Sequence, residues 1–209
     1  MKTLVLIVLF LGEQAFAADK LEDIACGPFI DSIPYSSILQ LPKSPDPLAQ
    51  VLSILEDSSK QRCWSNSVWM VGVLGGQAQA DYLIKRISIG SGELERAEWN
   101  AKSMAVLSLG LLANKGGARA LEFLEMLVSR KNEKGNPFSW KPPEYIRDDS
   151  FNVYLARRAV QALGVSGRPE AKAFLEKFKD DSQLKDVVAD ALLLNDRVLK
   201  NGLASVYRE

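Results

Sequence analysis

The sequence contains no histidine and only two cysteines, and its 26 Lys and Arg are matched by 26 Asp and Glu. Without histidine there is no Ser-His-Asp triad, no Cys-His nucleophile pair and no imidazole-ligated metal site. Zero net charge offers no broad basic field, so nucleic acid is not the expected partner. Also missing are the phosphate-binding Gly-x-x-x-x-Gly-Lys, the Gly-x-Ser-x-Gly elbow, Cys-x-x-Cys, and a dinucleotide fingerprint after a strand. No catalytic residue, metal ligand or cofactor is therefore assigned. A carboxylate pair converging from distant positions stays open, but nothing in the sequence selects one. Hydrophobic residues at 47% and charged ones at 25% are ordinary for a chain that buries a core, as one domain or two small ones.

The only pronounced apolar run is at the start. Thr3 to Gly12 follows Met1-Lys2 and is broken by Glu13 and Gln14. It is about half of the roughly 20 residues that a membrane-spanning helix needs. Ala15-Phe16-Ala17 puts small residues where a signal peptidase reads them. Residues 1–17 are thus expected to be a cleaved signal, with the cut between Ala17 and Ala18. The mature chain is expected to be periplasmic or secreted, with no stable membrane insertion. Asp19, Lys20, Glu22 and Asp23 separate the apolar run from Cys26, which speaks against a lipidated cysteine. Loss of Lys2 and Glu13 with the signal leaves the charge balance at zero.

Export changes how the cysteines read. In an oxidising compartment Cys26 and Cys63 can form one intramolecular bridge, and that is the expectation. Two buried thiols or a redox pair are the alternatives, the second disfavoured by the wide separation. Closing such a loop removes about 4 kcal/mol of unfolded-state entropy in the simple chain model.

The rest of the mature chain has helical periodicity. Gly27, Pro28, Pro34, Pro42 and Pro45 keep residues 18–45 from forming long helices. Asp46-Pro47 reads as a cap and first position, and Leu48, Val51, Leu52 and Leu55 follow at helical spacing. Further helices are predicted from Asp57-Ser58-Ser59 to about Leu74, from Gln77 to Ile89, from Ser91 through Leu112, and from Gly117 to about Arg130. After a loop at 131–147, helices start at Asp148-Asp149-Ser150, at Pro169 and at Ser182, with a weaker last one from about Asp196 to Tyr207. No stretch alternates convincingly with period two.

These helices repeat. Val68-Trp-Met-Val-Gly72-Val-Leu-Gly75 matches Val160-Gln-Ala-Leu-Gly164-Val-Ser-Gly167, and Val106-Leu-Ser-Leu-Gly110 is a third copy. A second helix then opens with Ala78 and Ala80, Ala118 and Ala120, or Ala171 and Ala173. In this reading glycine permits a tight reversal, and alanine lets the paired helices approach. The Gly72–Gly110 spacing is close to the roughly 40–47 residues of two-helix repeats. The longer Gly110–Gly164 spacing exceeds it by about the length of 131–147, which marks that segment as an insertion. The pattern, best in Ala159–Phe178, resembles HEAT-like (armadillo-type) helical repeats over about residues 60–195. The resemblance implies an all-α fold, an α-solenoid of antiparallel helix pairs whose curved face holds a protein, peptide or other ligand. One branch of that family comprises lyases and chaperone-like proteins that attach bilin pigments. Residues 18–57, irregular and ending in the first helix, would cap a repeat domain at 58–209.

In a solenoid, insertions often carry binding. The 131–147 segment holds Phe138, Trp140 and Tyr145 among Lys141, Arg147 and other basic residues, and its prolines stiffen it. Phe138, Trp140, Lys141, Tyr145 and Arg147 are therefore the partner-binding candidates. The competing reading folds the aromatics back to seal the groove between repeats. Trp64, Trp69 and Trp99 stand at helical spacing and read as core. The expected function is a non-enzymatic scaffold for a protein or peptide. An exported helical enzyme or lyase-like factor using carboxylates, and a subunit of an envelope assembly, are the alternatives.

Overall fold

Asp46 does cap a helix: its side chain accepts the Leu48 N–H at 3.0 Å, and Pro47 takes the first position, where no amide hydrogen is needed. The computed structural model describes residues 21–28, 34–43, 46–133, 137–146 and 148–207, with side chains in the last stretch from 151 onward. The expected signal, its cleavage site and Arg147 lie outside the described residues. The chain is all-α in class. A short helical stretch at 21–25 and α1 (Tyr35–Leu39) precede α2 (Pro47–Glu56). A 3₁₀ segment, Ser58–Cys63, follows, with the Asp57 carboxylate accepting the Ser59 N–H at 2.9 Å. Then come α3 (Trp64–Leu74), α4 (Gln77–Ser88), α5 (Arg96–Asn114), α6 (Ala118–Ser129), α7 (Asp148–Ser166), α8 (Pro169–Leu175), α9 (Lys185–Asn201) and α10 (Leu203–Val206).

Two rows of helices result. In one, α3 packs on α5, α5 on α7 and α7 on α9; in the other, α4 packs on α6 and α6 touches α8. The rows differ in sequence for a physical reason. Helices α3 and α5 bury residues around most of their circumference, as expected of helices with neighbours on several sides. Helices α4 and α6 bury one stripe each, Ala80-Leu83-Ile87 and Ala120-Leu124-Leu127-Val128. One alanine of each opening pair, Ala80, Ala120 and Ala171, is fully buried.

The repeated glycines do something other than turn the chain. Gly72, Gly110 and Gly164 lie inside helices, and each stands directly against the next helix of its row. A Cβ at Gly72 would stand 2.8 Å from the Ser108 Cβ, one at Gly110 would overlap the Ala162 carbonyl, and one at Gly164 would stand 2.9 Å from the Ala191 Cα. The offset recurs, because Ser108 and Ala162 each precede the next glycine by two positions. Two positions after Ala191 stands Leu193, 69% exposed. Reversal falls instead to Gly75-Gly76, Gly116-Gly117 and Gly167, with Gly116 at φ +91° and Gly167 at φ +57°. Side chains also tie helix ends together across the row. The Lys115 ammonium donates to the carbonyls of Gly72, Val73 and Gly75, the last at 2.8 Å. The Asn114 amide donates to the Ser166 carbonyl at 2.8 Å, and that of Asn195 to Leu163 at 3.0 Å.

The N-terminal segment is held to this array covalently. Cys26 and Cys63 form a disulfide, and around it the Asn66 amide donates to the Gly27 carbonyl at 3.1 Å and Lys60 pairs with Glu22 at 2.7 Å. At the other end, Tyr207 stacks on Tyr35 with centroids 5.5 Å apart and meets Trp69 edge-on at 5.8 Å.

Several boundaries differ from the sequence reading. Helix α5 starts at Arg96, not Ser91, because residues 92–94 pair with a distant segment: β1 (Gly92–Glu93) lies parallel to β2 (Trp140–Lys141), and the Leu94 N–H donates to the Lys141 carbonyl at 3.0 Å. This two-residue ladder is a departure from the absence of strand patterning. Helix α9 takes Leu184, not Ser182, as its cap, and runs unbroken to Asn201, ending at Gly202 with φ +78°.

In an exposed helix Gly→Ala stabilises by about 1 kcal/mol. At Gly110 the sign is expected to reverse: Gly110→Ala should cost about 1–3 kcal/mol in urea unfolding, because backbone must move to admit the methyl. A gain in stability would show that α5 and α7 part without penalty.

Candidate functional site

Residues 138–144 are stitched onto the junction of α4 and α5. Trp140 is 1% exposed, its indole N–H donates to the Ile87 carbonyl at 2.7 Å, and its ring stacks on Phe138 at 4.9 Å and meets Phe151 edge-on at 5.6 Å and Trp99 at 6.2 Å. The Lys102 ammonium lies 5.3 Å from the Trp140 ring centroid. Gly90 leaves room for that ring, since a Cβ there would come 3.1 Å from Trp140 Cδ1. The Ser139 hydroxyl donates to the Gly90 carbonyl at 2.7 Å, and Glu93 accepts the Glu144 N–H at 3.1 Å. Of the five candidates, Trp140 is thus core and Phe138 half-buried against it, while Lys141 and Tyr145 remain exposed, Tyr145 to 60%. Trp69 and Trp99 are buried as expected, and Trp64 is half-buried.

Trp64 lines a cleft of about 440 Å³ between α2, α4 and α5. The Arg86 guanidinium sits 4.7 Å from its ring centroid and donates to the Leu55 carbonyl at 3.2 Å. The Tyr82 hydroxyl donates to Glu56 at 2.8 Å. Lys102 donates to the carbonyls of Arg86, Ile87 and Ile89, neutralising the negative end of α4, and lies 3.5 Å from Glu98. Burial pulls its pKa down. Arg86 and Lys102 are thus engaged in holding helix ends, and Tyr82 with Glu56 in a side-chain pair; among the described residues the Trp64 indole N–H has no hydrogen-bond partner.

A second depression, about 390 Å³, crosses the row of longer helices. Leu107 of α5, Arg158, Gln161 and Val165 of α7, and Val187, Asp190, Ala191 and Leu194 of α9 line it. Its floor is apolar and its rim carries both charges. Arg158 is oriented from behind: its guanidinium carbon lies 5.6 Å from the Tyr154 ring centroid and its Nε–H donates to the Tyr154 hydroxyl at 3.2 Å. That hydroxyl is 2.8 Å from the Ser103 hydroxyl. One terminal nitrogen makes a long contact, 3.5 Å, to the Gln161 amide oxygen. Among the described residues neither Arg158 nor Asp190 has an ion-pair partner. The sequence reading missed this groove, whose only local trace is Arg158, Gln161 and Val165 at helical spacing on one face of α7. No metal-competent group of three or more Cys, Asp or Glu occurs among the described residues.

No family model matches the chain, and neither curated proteins nor solved structures match it.

Two outcomes follow from these environments. Trp140→Ala is expected to destabilise by about 3–5 kcal/mol, whereas Tyr145→Ala should stay within about 0.5 kcal/mol; equal effects in urea unfolding would contradict the packing described. Burial first, and then the bond to Glu56, pushes the Tyr82 phenol up to about 12. A raised folded-state value favours the neutral phenol, so its stabilisation is complete below the unfolded value of about 10 and is lost as pH rises through about 12. Ultraviolet titration of wild type against Tyr82→Phe should therefore assign a late phenolate to this residue, and ionisation near 10 would refute it.

Proposed function

We propose that this chain is an exported, non-enzymatic α-solenoid of HEAT-like antiparallel helix pairs whose role is to hold a peptide segment of a partner protein. The offset shared by the Gly72–Ser108 and Gly110–Ala162 contacts, each two positions before the next glycine, supports a repeat architecture, because chance helical hairpins have no reason to share one register. The disulfide fits an oxidising compartment, and among the described residues no helix is long and apolar enough to cross a membrane. The observation that carries the binding role is the groove over α5, α7 and α9, where apolar side chains line a depression together with a cation and an anion that have no ion-pair partner among the described residues. Such a floor desolvates side chains while the rim fixes orientation. The exposed Lys141 and Tyr145 of the insertion offer a second, smaller contact area. Engagement of Arg86 and Lys102 of the Tyr82–Lys102 cleft as helix-end ties supports a scaffold over an enzyme.

Peptide display on the purified mature chain tests this. Selected peptides are expected to lose binding to Leu107→Glu, which places a charge on the half-buried floor, while thermal unfolding of that variant stays cooperative. Recovery of no binding peptide, together with an activity that an acidic-residue variant abolishes, would replace the scaffold with an enzyme.

A further inference from the structure

The rim of the groove specifies more than a generic peptide. Arg158 is half-buried, held by Tyr154 through its Nε, and among the described residues no carboxylate forms an ion pair with it. A guanidinium held from one side still presents its terminal nitrogens as a planar fork, and a carboxylate is the group that fits this fork with two parallel bonds. A partly desolvated, uncompensated cation beside an apolar floor gains most from an anion that arrives with apolar surface attached. Leu107, Val165 and Leu194 supply that floor immediately beside it. Gln161, three positions on from Arg158 and in long contact with it, and Asp190 of α9 are exposed and offer an amide and a carboxylate able to take main-chain N–H groups.

We propose that the groove recognises a peptide carboxyl terminus ending in an apolar residue, with the terminal carboxylate on Arg158, the last side chain on the Leu107–Val165–Leu194 floor, and upstream amides on Gln161 and Asp190. This rests on the reading of the groove as a peptide site and names the part of the peptide that enters it. A fatty acid shares the apolar carboxylate but has no amide hydrogens, so Gln161 and Asp190 would gain nothing from it. An internal peptide segment has the amides but no terminal charge.

Fluorescence polarisation with a labelled Gly-Ser-Ala-Ala-Val-Leu peptide decides it, using the free acid, the C-terminal amide and, as competitor, decanoate. The free acid is expected to bind wild type about tenfold or more tightly than the amide, and Arg158→Gln should bring the two together by weakening only the acid. The acid-to-amide ratio is read on wild-type protein, so the test survives any folding defect in the variant. Equal binding of acid and amide, both lost in Leu107→Glu, would overturn the carboxylate proposal and leave the peptide groove standing. Displacement by decanoate with no peptide binding would overturn it in favour of a lipid ligand, and failure of every probe would remove the groove reading as well.

Discussion

The arrangement depends on how closely successive long helices approach. At Gly110 the α5 backbone meets the Ala162 carbonyl of α7 with no space for a side chain, and Gly72 and Gly164 repeat the contact on either side. Close approach of backbones brings neighbouring turns within reach of short side chains, which is why Asn114 and Asn195 can bridge helix ends and Lys115 can serve the carbonyls at the end of α3. The same spacing brings Leu107 of α5 into one groove with residues of α7 and α9. A side chain at any of the three glycines would move that floor as well as lower stability.

Local signals were read well and relational ones poorly. Asp46-Pro47 and Pro169 opened helices because capping and a proline's missing N–H are properties of one position. Gly72, Gly110 and Gly164, expected at chain reversals, lie inside helices against a neighbouring helix, since a helix-interior glycine and a turn glycine look alike until a neighbour's position is known. Ser91 looked like a helix start because its true competitor, pairing with Trp140 and Lys141, lies in a distant segment. Asp181 and Leu184, not Ser182, set the entry to α9: the carbonyl of Asp181 accepts the N–H groups of Leu184 and Lys185, and its carboxylate is held from a distant segment by Lys131 at 2.7 Å.

The candidate site divides along the same line. The aromatic content of 131–147 was visible, as was the choice between exposed recognition and folded-back packing. Which way Trp140 went depended on the pocket made by Gly90, Trp99 and Phe151, which no single segment reveals. The groove was less accessible still. Its residues come from three helices, and Arg158 acquires meaning only from what does not stand opposite it.

Tyr207 meets Tyr35 and Trp69, so the last described turn of the chain touches both the N-terminal segment and the first helix of the row. Elements at the edge of a helical row have fewer neighbours than inner ones and open at lower cost. Here Tyr35 and Tyr207, far apart in the chain, share an aromatic contact, and the disulfide joins the N-terminal segment to the residue before α3. Opening either of these described segments must break a contact that belongs to both, which couples the two edges of the row to each other.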